Sequence, residues 1–234
     1  MSELMIIADE WEQMVPLQAC LQSNGYSLTS VEDVAVPEDL SRYHAVFMYV
    51  HKAVEQAAVD AMIRYTNSGG RLIVLHHGIA SGKLKNPDWL DFVGIHIEPK
   101  DAPGNPWTLM VDVTHHFVNL NPHHYITCND VTYPEMIEYT SADAPSKKRE
   151  CAGITFEHTE FFKNQHFADA REKTVLFGTK CETAEGEIVV QDRGGWVKPS
   201  GGGWICYFQP GHLPADFEQA AYQQILLNCL TWEP

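Results

Sequence analysis

The stretch Asn67-Ser68-Gly69-Gly70-Arg71-Leu72-Ile73-Val74-Leu75-His76-His77-Gly78 decides the fold class of this 234-residue chain. Two polar residues followed by two glycines are a helix stop. Leu72 to Leu75 is then an unbroken apolar run, the pattern of a parallel strand covered on both faces. His76-His77-Gly78 turns the chain out of that strand. Ahead of the stop, Val54, Ala57, Ala58, Ala61, Met62 and Tyr65 fall on one helical face. Ahead of that helix, Ala45 to Val50 is a second continuous apolar run.

The same alternation continues outward in both directions. Leu4 to Ala8 is a short buried-strand pattern. Trp11 to Asn24 has helical spacing at Met14, Leu17 and Leu21 and stops at Asn24-Gly25, and Tyr26 to Val31 is the next strand. Strand, helix, strand, strand, helix, strand predicts an α/β chain built on a mostly parallel, doubly wound sheet with helices on both faces. At the far end, Trp204 to Phe208 is another buried strand. Gln209-Pro210-Gly211-His212 is a turn, and a last helix starts at about Asp216, with Phe217, Ala220, Ala221, Ile225 and Cys229 on one face.

Between these ends the pattern changes. Prolines and glycines punctuate residues 87–106. Short strand-like runs follow at Thr108–Val113, Glu135–Tyr139, Ile154–Glu157, Thr174–Thr179 and Glu187–Val190, which predict an antiparallel extension or long loops over the sheet. Ser141 to Glu150 reads as a polar loop, and its basic run Lys147-Lys148-Arg149 as a solvated one. Gly201-Gly202-Gly203 lacks the Lys-Ser/Thr of a phosphate loop and reads as a hairpin turn. No repeat interrupts the pattern, so residues 1–234 are read as one domain.

Thirty-one acidic residues against 16 basic ones leave a formal charge of −15. Such a surface repels phosphate backbones and anionic lipid, so nucleic acid and membrane are not expected partners, and a neutral or cationic small molecule is. A homo-oligomer stays open. Met1-Ser2-Glu3-Leu4 shows no leader pattern, and no apolar stretch has the length of a membrane span, so the cytoplasm is the expected compartment. None of the six cysteines forms a Cys-x-x-Cys pair, and most sit in apolar runs. They read as reduced, buried thiols.

In open parallel sheets ligands bind outside the carboxyl ends of the strands. Three apolar strands deliver histidine there: His51, His76-His77 and, behind a turn, His212. Imidazole is both a metal ligand and a proton carrier near neutral pH. Three such histidines and a carboxylate could hold a divalent cation such as zinc with one position open, although no local ligand pair supports this. Adjacent residues on an extended chain point to opposite sides, so at most one member of each doublet, His76-His77, His115-His116 and His123-His124, should face a given pocket. A polar loop is the alternative for the latter two, favoured for His123-His124. The strand-to-turn elbow also matters. Where hydrolases and amidotransferases place Ser or Cys, two residues before the glycine, this chain has His76. Glutaminase chemistry by the cysteine route should be absent.

At these residues the chain resembles the ThuA-like family, named for trehalose utilisation. Leu72 to His76 is similar to that family's Leu-His strand after Gly-Gly. His51 resembles its Gly-His, with Val50 in place of glycine. Thr114-His115-His116-Phe117 is similar to its His-Pro-Ile segment, with His116 in the histidine position. Pro134-Glu135-Met136 resembles its Glu-Glu-Met-Tyr segment, with Tyr133 where the family often has histidine. Tyr207-Phe208-Gln209-Pro210-Gly211-His212 is very close to its Tyr-Phe-Arg-Pro-Gly-His. The resemblance implies a class I glutamine amidotransferase-like, flavodoxin-like fold and a role in disaccharide catabolism. It also marks His51, His76, Glu135 and His212 as catalytic candidates. His76, Glu135 and His212 would be the metal set or share acid–base work on a sugar or keto-sugar. His77, Tyr133, His116 and Trp196 are candidate substrate contacts, and Trp107, Tyr133 and Trp196 could stack on a sugar or simply fill the core. A non-catalytic sugar-binding or complex-forming subunit is the alternative reading.

Overall fold

The computed structural model describes residues 2–104, 106–145, 148–168 and 172–234. Its parallel half begins with β1 (Glu3–Ala8), α1 (Trp11–Ser23), β2 (Ser27–Val31), β3 (Ala45–Tyr49), α2 (Gln56–Asn67) and β4 (Arg71–Leu75). A 3-10 turn at His76–Ile79 leads to α3 (Pro87–Val93) and β5 (Ile95–Ile97). The antiparallel half is β6 (Thr108–Asn119), the short α4 (Tyr125–Cys128), β7 (Glu135–Thr140), β8 (Lys148–Lys163), β9 (Gln165–Phe167), β10 (Thr174–Glu182) and β11 (Ile188–Ser200). β12 (Gly203–Phe208) returns to the parallel half, and α5 (Ala220–Thr231) closes the chain.

Ten strands form one sheet in the order β2-β1-β3-β4-β12-β11-β10-β6-β8-β7, with β5 and β9 paired apart. The first five run parallel and the remainder antiparallel. The expected antiparallel extension is therefore present as paired strands. The order β2-β1-β3-β4-β12 is that of a flavodoxin-like sheet, whose switch point lies between β1 and β3.

Alternate residues of the parallel strands enter two cores. Leu4, Ile6, Phe47, Ile73, Leu75, Cys206 and Phe208 meet α1 and α5 through Leu17, Leu21, Tyr222 and Ile225. Met5, Ile7, Val46, Met48, Leu72, Val74 and Ile205 meet α2 and α3 through Ala58, Met62 and Trp89. Burial on both faces is why these strands read as continuous apolar runs.

Differences from the expected elements have local causes. The antiparallel strands are longer than their apolar runs because one face carries polar residues, which break the run without breaking the ladder. His115 and His116 lie within β6, not in a loop, and His123-His124 precede α4, where His124 caps Ile126. Lys148 to Glu150 begin β8, and Lys148 pairs with Glu138 at 2.6 Å. Ser146 and Lys147 of the expected polar loop lie outside the described residues. The last helix starts later than Asp216, after a 3-10 turn over Pro214–Glu218. Five cysteines are buried and Cys128 is exposed. The glycine run forms the β11–β12 hairpin as expected. A Cβ at Gly203 would fall 2.1 Å from the Gly70 carbonyl oxygen, so only glycine fits there.

Candidate functional site

At the carboxyl ends of the parallel strands, five segments deliver titratable side chains to one place. Glu10 follows β1 and His51 follows β3. His76 and His77 follow β4, and His212 follows β12. The fifth segment is β8, which supplies Glu160. His76 Nε2 lies 3.4 Å from Glu160 Oε2, His212 Nδ1 3.2 Å and His77 Nε2 3.8 Å. One ligand atom from each of His76, His77, Glu160 and His212 lies within 4.8 Å of every other. Glu10, His51 and His77 form a second such group. Glu10 Oε2 is 3.1 Å from His77 Nδ1, and Glu10 Oε1 is 3.3 Å from His51 Nδ1.

The turn after β4 explains why both members of the His76-His77 doublet face the site. The expectation of at most one rested on an extended backbone, and the backbone here is a 3-10 turn with His76 at φ +29°. A non-glycine residue there is strained, at a cost of about 1–3 kcal/mol, as at the elbow of hydrolases. Gly78 completes the elbow, since a Cβ would sit 2.1 Å from Val74 Cγ1. His76 stacks on Phe162 at 4.5 Å and His77 stacks on His51 at 4.5 Å.

The ring orientation of His76 is set from outside. Its Nδ1 is 2.6 Å from the Gln209 carbonyl oxygen, which can only accept. Nδ1 therefore carries a proton, and a neutral ring presents Nε2 to the cluster as a lone pair, the arrangement of a metal-bound histidine. The His212 turn is pinned by Asp216, whose Oδ2 accepts from the backbone N–H of His212 (2.8 Å) and Leu213 (3.1 Å) and from the Thr159 hydroxyl (2.8 Å). Lys83, wholly buried, donates to the carbonyls of Val50, His51, Lys52 and His77 at 2.5–3.2 Å, tying the β3 and β4 exits together. Burial pushes its ammonium down to about 7, against the opposing pull of Asp9 and Asp33.

Burial also sets the charges. It pushes His77 down to about 3, helped by the charge of His76, so His77 stays neutral at physiological pH. Burial lowers His212 as well, against Glu160. Burial alone would raise Glu160, but contacts from His76 and His77 and the charge of His212 outweigh it and hold the carboxyl well below the usual range. The result is a carboxylate ringed by imidazoles, two of them held toward their neutral, ligand-competent form. Although His77 Nδ1 and His212 Nδ1 lie within ion-pair distance of carboxylates, neither is aligned for a hydrogen bond.

Several expected residues lie elsewhere, and the expected carboxylate is the main correction. Glu135 is exposed on the edge strand β7, opposite Gly153 and well up β8 from Glu160. Its charge acts on His116, which pairs with Thr155 at 2.8 Å and Glu182 at 3.6 Å. Trp196 is fully buried in the core, edge-on to Phe167 and beside Tyr207. Trp107 is buried against Phe162. Tyr133 packs on the core and spends its hydroxyl on the Thr127 carbonyl and Asn119. Glu160 and Glu10 went unrecognised in the sequence. Glu160 lies in the alternation His158-Thr159-Glu160-Phe161-Phe162, which marks a strand but not its facing.

A pocket of about 410 Å³ opens over the Glu10 side of the cluster, lined by Asp9, Glu10, His51, Lys52, Ser81 and Gly82. A larger one, about 600 Å³, lies near the opposite strand ends around Arg64, Tyr65 and Arg71. Among the described residues, no group of metal-ligating side chains borders it. The smaller pocket is at the β1/β3 switch point, where ligands of such sheets bind.

A family model described as ThuA, trehalose utilisation, matches residues 8–233. The chain belongs to the ThuA family. Among solved structures it is similar to a ThuA-like protein from Bacteroides uniformis (15% identity, TM-score 0.61, covering 99% of this chain and 90% of that one). It is also similar to a cytoplasmic protein from Salmonella typhimurium (11%, TM-score 0.59, 99% and 98%). A third likeness is to a carbohydrate deacetylase, of which this ThuA-family chain covers 32% (11%, TM-score 0.58, 98% of this chain). At these identities the likeness shows the fold alone, an α/β sheet flanked by helices. No curated protein sequence matches the chain. The family's description carries a carbohydrate-related role. No helix of the described residues is long and apolar enough to cross a membrane.

Proposed function

We propose that this ThuA-family chain is a sugar-active enzyme that uses a divalent cation, zinc among the candidates, held by His76, His77, Glu160 and His212. The observation that carries the reading is the convergence of three imidazole nitrogens on one carboxylate oxygen, within 4.8 Å of one another and ringed by outer partners. With Nδ1 of His76 held by the Gln209 carbonyl, Nε2 is the nitrogen turned toward Glu160 Oε2, 3.4 Å away, and it is the one a cation would take. A cation there would polarise a sugar carbonyl or activate water. His51, with its side chain 56% exposed, and Glu10 border the pocket, where they would meet the oxygens of a bound sugar. A neutral disaccharide or keto-sugar suits a pocket of this volume on a chain of charge −15.

Elemental analysis of the purified chain after zinc loading and dialysis tests this. Bound zinc that is lost in His76→Ala and Glu160→Gln, with Glu135→Gln unchanged, is the expected result. Absence of bound metal, with sugar binding intact in His76→Ala, would instead support the non-catalytic sugar-binding subunit.

A further inference from the structure

His77 has two ring nitrogens and faces a carboxylate with each. Nδ1 lies 3.1 Å from Glu10 Oε2 and Nε2 lies 3.8 Å from Glu160 Oε2. The His77 side chain is 2% exposed, so the ring is held between the two carboxylates and not in solvent. Each ring nitrogen therefore has a carboxylate oxygen on its own side of the ring. Nδ1 has no hydrogen-bond partner at all. On that side Glu10 and His51 complete a group whose ligand atoms lie within 4.8 Å of one another, and both residues line the 410 Å³ pocket. Glu10 sits at the N-cap position of α1 but makes no capping bond there, which leaves its carboxylate to the histidines.

From this arrangement, and resting on the single-cation reading above, we infer that the site is a two-cation centre, with His77 as the ligand shared between the buried position and a second position formed by Glu10 and His51 at the pocket mouth. The buried cation takes Nε2 of His77 with His76, Glu160 and His212. The outer cation takes Nδ1 of His77 with Glu10 and His51. Occupation of both releases the remaining ring proton of His77 to solvent and leaves the ring as an imidazolate, its negative charge shared by the two cations. The mixed imidazole and carboxylate donors suit zinc, cobalt or manganese.

The surroundings hold this geometry in place. Asp9 braces the outer ligands: its two oxygens accept from the backbone N–H of His51 (2.8 Å) and Lys52 (3.2 Å). Lys83 ties the His51 and His77 carbonyls to one ammonium. Two of the three loops that supply the outer ligands, those after β3 and β4, are therefore braced to each other before a cation arrives. The outer cation would be the one that substrate oxygens meet first, since Glu10 and His51 border the pocket and His76 is wholly buried.

The test is cobalt(II) titration of the metal-free chain, followed by visible absorbance, together with zinc content after dialysis. The expected wild-type result is about two equivalents per chain, falling to about one in His51→Ala and in Glu10→Gln and to about one in His212→Ala. One equivalent in the wild type that persists in His51→Ala and Glu10→Gln but is lost in His212→Ala would overturn the second cation and leave the single-cation reading standing. No bound metal in any variant would overturn both. Because His51 is largely exposed, His51→Ala should fold, and an unchanged circular dichroism spectrum would establish that its lost equivalent is a lost ligand.

Discussion

His76 shows how much a single residue carries in this site. It occupies the elbow position at φ +29°, commits Nδ1 to the Gln209 carbonyl and turns Nε2 into the cluster. Its presence at a strand end is plain in the sequence; its tautomer is not, because Gln209 is far along the chain. Glu160 was illegible for a related reason, being one of 31 acidic residues with no local pattern to single it out. His115 offers a different test. It is fully buried among Phe117, Phe156 and Phe161, with neither ring nitrogen bonded. Burial, helped by the charges of His76 and His116, pushes its pKa down to about 3. The unfolded chain takes up a proton at this residue below about 6.5 while the folded chain does not. This contribution to stability is therefore intact above about 6.5 and falls away toward 3, at about 1.4 kcal/mol per pH unit. His115→Phe should flatten the acid limb of urea stability curves by that slope, and an unchanged slope would contradict it. Asp216→Ala leaves two backbone donors and the Thr159 hydroxyl without their acceptor, and should cost about 2–4 kcal/mol in denaturant melts.

At the level of elements, paired irregularities in β6 and β8 decide where Glu160 points. Asp112 and His158 both have positive φ, +53° and +55°, and the β6–β8 register shifts on either side of Val113 and Thr159. Strict alternation would set Glu160 on the face of Ile154 and Phe156. The extra residue near His158 flips the parity, so Phe162 joins the opposite core and Glu160 turns to the histidines. A bulge of this kind leaves little trace in a single sequence, because aspartate and histidine are ordinary exposed residues elsewhere. The parallel strands were readable for the opposite reason: burial on both faces demands apolar residues without a break. The hairpin between β11 and β12 gives a prediction at this scale. Gly203→Ala forces a methyl into the Gly70 carbonyl, and should lower the unfolding free energy by roughly 2–3 kcal/mol without touching the cluster. Chemical denaturation of a variant with unchanged metal content would show both halves of that statement.

Across the whole molecule, the site joins the two halves of the sheet. Glu10, His51, His76, His77 and His212 come from the parallel half, and Glu160 comes from the antiparallel half. A cation bound at the cluster therefore cross-links the two, and it should stabilise the chain as a unit. At a free concentration about 100 times its dissociation constant, zinc should add about 2.7 kcal/mol, or roughly 5–10 °C in Tm for a chain of this length. Calorimetry with and without a chelator would measure it, and a metal-independent Tm would count against the site. The sequence by itself determined the parallel sheet, the histidines at its strand ends and the absence of an elbow cysteine, because those follow from local apolar period and from residue identity. Only the tertiary structure decided which carboxylate completes the cluster, why both histidines of the doublet face it and that Glu10 lies behind them. Each of those depends on strand order, a bulge or a turn, which bring together residues that are distant along the chain.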